Sequence, residues 1–149
     1  MLKFALFIRR HRKSVVTFIF LTVALAVIMN FFSIDRSTNE MIVGYMKGLG
    51  WEIEASPSEI THFSLPDEFD AVYRAYNAMQ KSAGFDLGRY KGKKVTRYSY
   101  RVLNHKNSSD TQVVAGIFVC DNVIIAGDIS SVEQDGFMHA LSDTSYIAE

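Results

Sequence analysis

A chain of 149 residues in which 16 Lys and Arg balance 16 Asp and Glu is long enough for one domain with its own core and too short for two beside a membrane segment. Five of the positive charges crowd into residues 1–14, so the remainder carries 11 basic against 16 acidic side chains, which makes nucleic acid a poor partner. The single cysteine, Cys120, excludes an intramolecular disulfide framework; at the end of an apolar run it reads as a small buried hydrophobe.

From Val15 to Phe32 the run VVTFIFLTVALAVIMNFF is interrupted only by Thr17, Thr22 and Asn30, and Arg9, Arg10, His11, Arg12 and Lys13 precede it. Its length is near the lower limit for a helix that spans a bilayer, and a basic flank is retained on the cytoplasmic side. The pattern predicts a cytoplasmic tail at 1–14, a transmembrane signal anchor at 15–32, a connector at 33–39 and an extracytoplasmic domain at 40–149. A cleaved signal peptide is the competing reading, but Met29, Asn30, Phe31 and Phe32 stand where small residues are needed. A buried core helix would have a polar face, which this run lacks.

Beyond the connector, Ile42, Tyr45, Met46 and Leu49 recur at helical spacing and Gly50 follows as an end cap. Trp51-Glu52-Ile53-Glu54 alternates as a half-buried strand does, and Pro57 turns the chain to an extended piece at Glu59–Phe63. Ser64 and Asp67, at capping-box spacing around Pro66, signal a second helix with the apolar stripe Phe69, Val72, Tyr73, Tyr76, Met79 and Ala83, ended by Gly84. From Lys94 the period is two: Thr96, Tyr98, Tyr100 and Val102 share one face, and Arg97, Ser99 and Arg101 a wet one. A loop at His105–Asp110, a buried strand at Gln112–Cys120, an Asp121-Asn122 turn and a strand at Val123–Ala126 complete a three-stranded antiparallel meander. A short last element lies around Phe137–Leu141. The predicted fold class is α+β: a single N-terminal transmembrane helix, then a small domain with two helices packed on an antiparallel sheet.

The stretches YMKGLGWEIE, LPDEFDAVYRAYNAMQKSAGFDLGRYKGKKVTRYSY and VIIAGDISSVEQDGFMHAL resemble an uncharacterised family of anchored extracytoplasmic proteins in clostridium-like bacteria, domain of unknown function 4830. The resemblance covers most of residues 45–141 and implies this order of elements and an N-terminal membrane segment, with no assigned activity. Ala140 stands where the family pattern favours Gly.

The densest polar cluster runs from Gly127 to His139. Asp128, Asp135 and His139 are candidate metal ligands, and Ser130, His139 and an aspartate could form a nucleophilic arrangement. Neither spacing is diagnostic. Ser131 and Gln134 have capping-box spacing, Asp135-Gly136 is a turn, and Phe137, Met138 and Leu141 pack back on the sheet, so structure is the stronger reading. Arg89, Lys91, Lys93, Lys94, Arg97 and Arg101, interleaved with Tyr90, Tyr98 and Tyr100, could hold an anionic lipid head group or wall polymer, or form the solvated face of a hairpin. The Gly-Lys pair there lacks the Walker spacing. Glu52, Glu54, Glu59, Asp67, Glu68 and Asp70 include paired carboxylates of the kind used in sugar hydrolysis, but three fall where a helix dipole stabilises negative charge. His62 and Trp51 read as packing residues, His11 and His105 as solvent-exposed. The function expected is a non-enzymatic binding or interaction module of the cell envelope, with no cofactor, taking another envelope protein, an anionic polymer or itself as partner. The alternatives are a small enzyme or metal site on the Asp128–His139 segment, and a signalling subunit acting through a partner membrane protein.

Overall fold

The computed structural model describes residues 12–133 and 135–148. His11, most of the basic tail, and Gln134 of the expected capping box lie outside them. Arg12–Gly48 form one helix, α1. Residues 33–39, expected as a connector, are part of it, since no Pro interrupts them. Gly50, at φ +91°, ends the helix as expected: its N–H donates to the Lys47 carbonyl and the Trp51 N–H to the Met46 carbonyl, both at 3.0 Å, which satisfies the last carbonyls through a left-handed cap. The chain divides into two compact units between Thr38 and Asn39.

Among the described residues no helix is long and apolar enough to cross a membrane. This overturns the transmembrane span at 15–32 and the signal-anchor and single-pass assignments, and it removes the support on which the extracytoplasmic assignment rested. The physical reason lies in what surrounds the run: it is one part of a helix that continues without a break into Asp35, Arg36 and Glu40, charged side chains that are costly to bury in lipid.

The second unit is an α+β domain on a five-stranded antiparallel sheet in the order β1-β2-β3-β4-β5, a continuous meander rather than a three-stranded one. The strands are β1 (Glu59–Ser64), β2 (Lys94–Arg101), β3 (Val113–Cys120), β4 (Val123–Ser131) and β5 (Met138–Ala140). Trp51–Glu54 is no full strand; its pairing is an isolated bridge between Ile53 and Val102. Asp121 and Asn122, both at positive φ, make the tight β3–β4 turn that their residue types allow. Near that turn Phe118 pairs with Ala126 and Val119 with Ile124, so Ile125 is one residue in excess and its side chain is buried with Ala126 and Cys120.

Each face of the sheet has its own core. On one, Tyr98, Tyr100, Val102, Ala115, Ile117 and Ile129 pack with Ile42, Met46 and Trp51. On the other, Val95, Cys120, Ile125 and Ala126 gather with Leu65 and Leu87, and Phe69, Tyr73, Tyr76 and Phe118 lie against them. The aromatic residues of this second core include Tyr73 and Tyr76 of α2 (Ala71–Ser82). Its N-cap is Asp70, whose carboxylate accepts from the Tyr73 N–H at 2.8 Å, and not the Ser64/Asp67 pair; the intervening Pro66 and extended residues postpone the first helical turn. Gly84, at φ +87°, closes α2 as expected, with Phe85 N–H bonded to the Gln80 carbonyl. Gln80 is fully buried. Its amide accepts from the Gly127 N–H and donates to the Gly127 carbonyl, both at 3.0 Å, one residue beyond the end of the β4–β5 pairing at Asp128.

Candidate functional site

A cleft of about 330 Å³ opens between α2 and the sheet. Its helical wall is Val72, Tyr73 and Tyr76, its sheet wall Phe63, Phe118 and Met138, and its polar floor Arg97 and Asp128. Period-two alternation puts Arg97 and Asp128 on the same face, β2 and β4 being separated by β3. Between them lies Gly116, paired with Ser99 on one side and Asp128 on the other. A Cβ at Gly116 would stand 2.5 Å from Arg97 Nη2 and 2.6 Å from Nε. Glycine at this position therefore lets the guanidinium lie flat across β3 toward the carboxylate.

Asp128 is 2% exposed. Its Oδ1 accepts from the Tyr76 hydroxyl at 2.6 Å, and its Oδ2 lies 4.0 Å from Arg97 Nη2. Both Asp128 Oδ2 and Arg97 Nε are buried without a hydrogen-bond partner. Burial pushes the Asp128 carboxyl above its usual range, against the opposing pull of the Tyr76 hydrogen bond, Arg97, Ser130 and His139. Burial, reinforced by the negative charge of Asp128, also drives the Tyr76 phenol far upward. The result is an apolar, aromatic cleft whose floor is a loose ion pair with one acceptor atom and one donor atom left without a hydrogen bond.

On the opposite face, His105 sits among stacked rings: 4.7 Å from Phe137, 5.6 Å from Tyr146 and 6.0 Å from Trp51 between centroids. It is buried, not solvent-exposed as expected, because the loop carrying it folds under the C-terminal segment through pairing with Ile147. The Asn107 N–H donates to His105 Nδ1 at 3.1 Å, so the neutral ring carries its proton on Nε2. That proton points at His139 Nε2, 3.3 Å away, while His139 Nδ1–H donates to the Ala140 carbonyl at 3.0 Å. With every ring nitrogen committed, His105 has no lone pair to give a metal.

The expected metal candidates are not brought together. His139 pairs with Ile129 and Ala140 with Asp128, so Asp128 and His139 face opposite sides of the sheet, and Asp135 is exposed in the β4–β5 connection. Among the described residues no group of three or more His, Cys, Asp and Glu is arranged to hold a metal ion. The basic candidates disperse as well. Lys93 pairs with Asp121 at 3.4 Å, Lys91 lies over the Phe69 ring, Arg89 and Lys91 share a groove with Glu68 and Asp86, Lys94 is exposed, and Arg97 turns to Asp128. Asp128 and Arg97 are each visible in the sequence, but in different clusters. Tyr76 reads there as core, and no spacing rule joins a helix to two strands whose residues lie 21 and 52 positions further along.

No curated protein and no solved structure matches the chain. The family described as Domain of unknown function (DUF4830) matches residues 45–129, a stretch that contains Tyr76, Arg97, Gly116 and Asp128. Since the match covers more than half of the 149 residues, the chain belongs to the DUF4830 family.

Proposed function

We propose that this protein is a non-enzymatic binding module whose small-molecule ligand enters the cleft between α2 and the sheet. One observation carries the reading: a buried carboxylate oxygen and a buried guanidinium N–H, neither hydrogen-bonded, on the floor of an aromatic cavity. Leaving such groups unsatisfied costs about 1–3 kcal/mol each, a cost that a ligand bearing complementary groups removes. The volume falls at the small end of the range for ligand pockets, roughly 300–1,000 Å³. An enzyme or metal site on residues 128–139 has less support, because Asp128 and His139 point away from each other.

Titrating a library of small aromatic and aliphatic fragments into the isotope-labelled protein tests the reading by amide chemical shifts. Binders are expected to perturb Phe63, Tyr76, Phe118 and Asp128 together. Shifts scattered over the surface, or none at millimolar concentrations, would rule the cleft out.

A further inference from the structure

The two unsatisfied atoms select among head groups. A carboxylate placed over the floor would meet Arg97 favourably but would press against the Asp128 carboxylate, whose side chain is 3% exposed and has little water to screen the repulsion. An ammonium would satisfy Asp128 but would face the guanidinium of Arg97. A hydrocarbon would leave both atoms as they are. A neutral group with an N–H beside a C=O answers both, its N–H donating to Asp128 Oδ2 and its carbonyl accepting from Arg97 Nε–H. The walls set the rest of the molecule. Tyr76 and Phe118 have ring centroids 5.8 Å apart and Phe63 and Phe118 5.4 Å apart, a continuous aromatic lining, and Val72 at the rim is 75% exposed, which leaves the helical side of the entrance apolar.

We infer that the ligand is a small, uncharged carboxamide with an apolar or aromatic body, held by its amide between Asp128 and Arg97. This rests on the cleft being a binding site, and it narrows that site to one head-group class. Gly116 is then a specificity element, since the guanidinium reaches this position only because nothing projects from β3 beneath it.

Three probes with the same body separate the head groups: 3-phenylpropanamide, 3-phenylpropanoate and 3-phenylpropylamine, titrated into the full-length protein at neutral pH and followed by amide shifts. The amide is expected to bind at least about tenfold tighter than the acid or the amine, the equivalent of one charge-assisted hydrogen bond. Asp128→Asn replaces the free acceptor by a donor and Arg97→Lys removes Nε–H but keeps the charge; each is expected to lower amide affinity about tenfold. Val72→Arg, at an exposed position, is expected to weaken any probe that enters the cleft by a similar factor without unfolding the protein. Acid or amine binding as tightly as the amide overturns the carboxamide inference while leaving the cleft a binding site. So does binding of other fragments when none of the three probes binds. If no fragment of any class perturbs the cleft, the binding-module reading falls with it. The head-group series on the wild-type protein decides the matter even where a floor variant misfolds.

Discussion

At the residue scale, Asp128 is held at a cost. Its carboxyl is raised above the ordinary 3.8 chiefly by burial, so the folded state takes up a proton more readily than the unfolded chain, and stability falls as pH rises through that window. Asp128→Asn can still accept the Tyr76 hydroxyl bond and carries no charge. It should therefore be more stable than wild type at pH 7 by about 1 kcal/mol, and the gain should vanish below the unfolded carboxylate pKa. Thermal melts from pH 7 to 3.5 check both the size and the pH at which the curves meet. His105 behaves in the opposite sense. Burial, with His139 and Lys106 nearby, lowers its pKa below 6.5, so the stability it brings is complete above 6.5 and is lost as pH falls toward the folded value. A charged His105 would also set a new Nδ1–H against the Asn107 N–H, which Nδ1 accepts in the neutral ring. The NMR titration of His105 should have its midpoint below 6.5, accompanied by loss of the near-UV signal of Trp51; a midpoint at or above 6.5 contradicts the ring assignments. None of this is legible from the chain. His105 lies in a polar stretch, His105-Lys-Asn-Ser-Ser-Asp110, that reads as a solvent loop, and only the pairing with Ile147 brings it inside.

At the element scale, two glycines on adjacent strands, Gly116 of β3 and Gly127 of β4, respond differently to a methyl group. Gly116→Ala meets Arg97 Nη2, Nε and Cζ first, part of a flexible side chain that can swing away at the cost of its loose pair with Asp128, so stability should fall by about 1 kcal/mol while carboxamide binding is lost. Gly127→Ala meets Leu141 Cδ1 at 2.5 Å and the Gly116 carbonyl oxygen at 2.9 Å. Backbone cannot move aside so cheaply, and about 1–3 kcal/mol should be lost. Chemical denaturation of the two variants side by side measures the contrast. Gln80→Met keeps side-chain bulk but leaves the Gly127 N–H and C=O buried without partners, for which we expect about 2–4 kcal/mol from two unsatisfied groups. The helices and strands themselves are largely readable: Gly50 and Gly84 as caps, Asp121-Asn122 as a turn, and the alternation of β2 all follow from residue type and period. The start of α2 is misplaced in the sequence because Ser64 and Asp67 copy a capping box, and the true cap, Asp70, hides inside the expected helix. Gln80 carries no signal at all, since a polar residue on a helix is expected at the surface.

At the scale of the whole molecule, the family match ends at residue 129, but the folded core does not. Leu141 is fully buried, and its carbonyl accepts from Trp51 Nε1 at 2.8 Å, with Ile147 and Tyr146 packed on the same cluster. A chain ending after Ser131 should therefore lose its cooperative melt, as seen by circular dichroism, although every residue of the family match is present. The membrane expectation failed at this scale because hydropathy marks the apolar run plainly but does not show that the helix holding it runs on into Asp35, Arg36 and Glu40. The Gln80 contact has one more consequence. A side chain here takes the place of the next residue of β5, so α2 is latched to β4 by the bonds that keep the Gly127 amide from exchanging with solvent. The helix that walls the cleft and the sheet edge beneath it must then breathe as one. Any molecule that lodges beside Tyr76 should slow deuterium uptake at Gly127, an amide it never touches, and the exchange rate of that single proton becomes a gauge of occupancy.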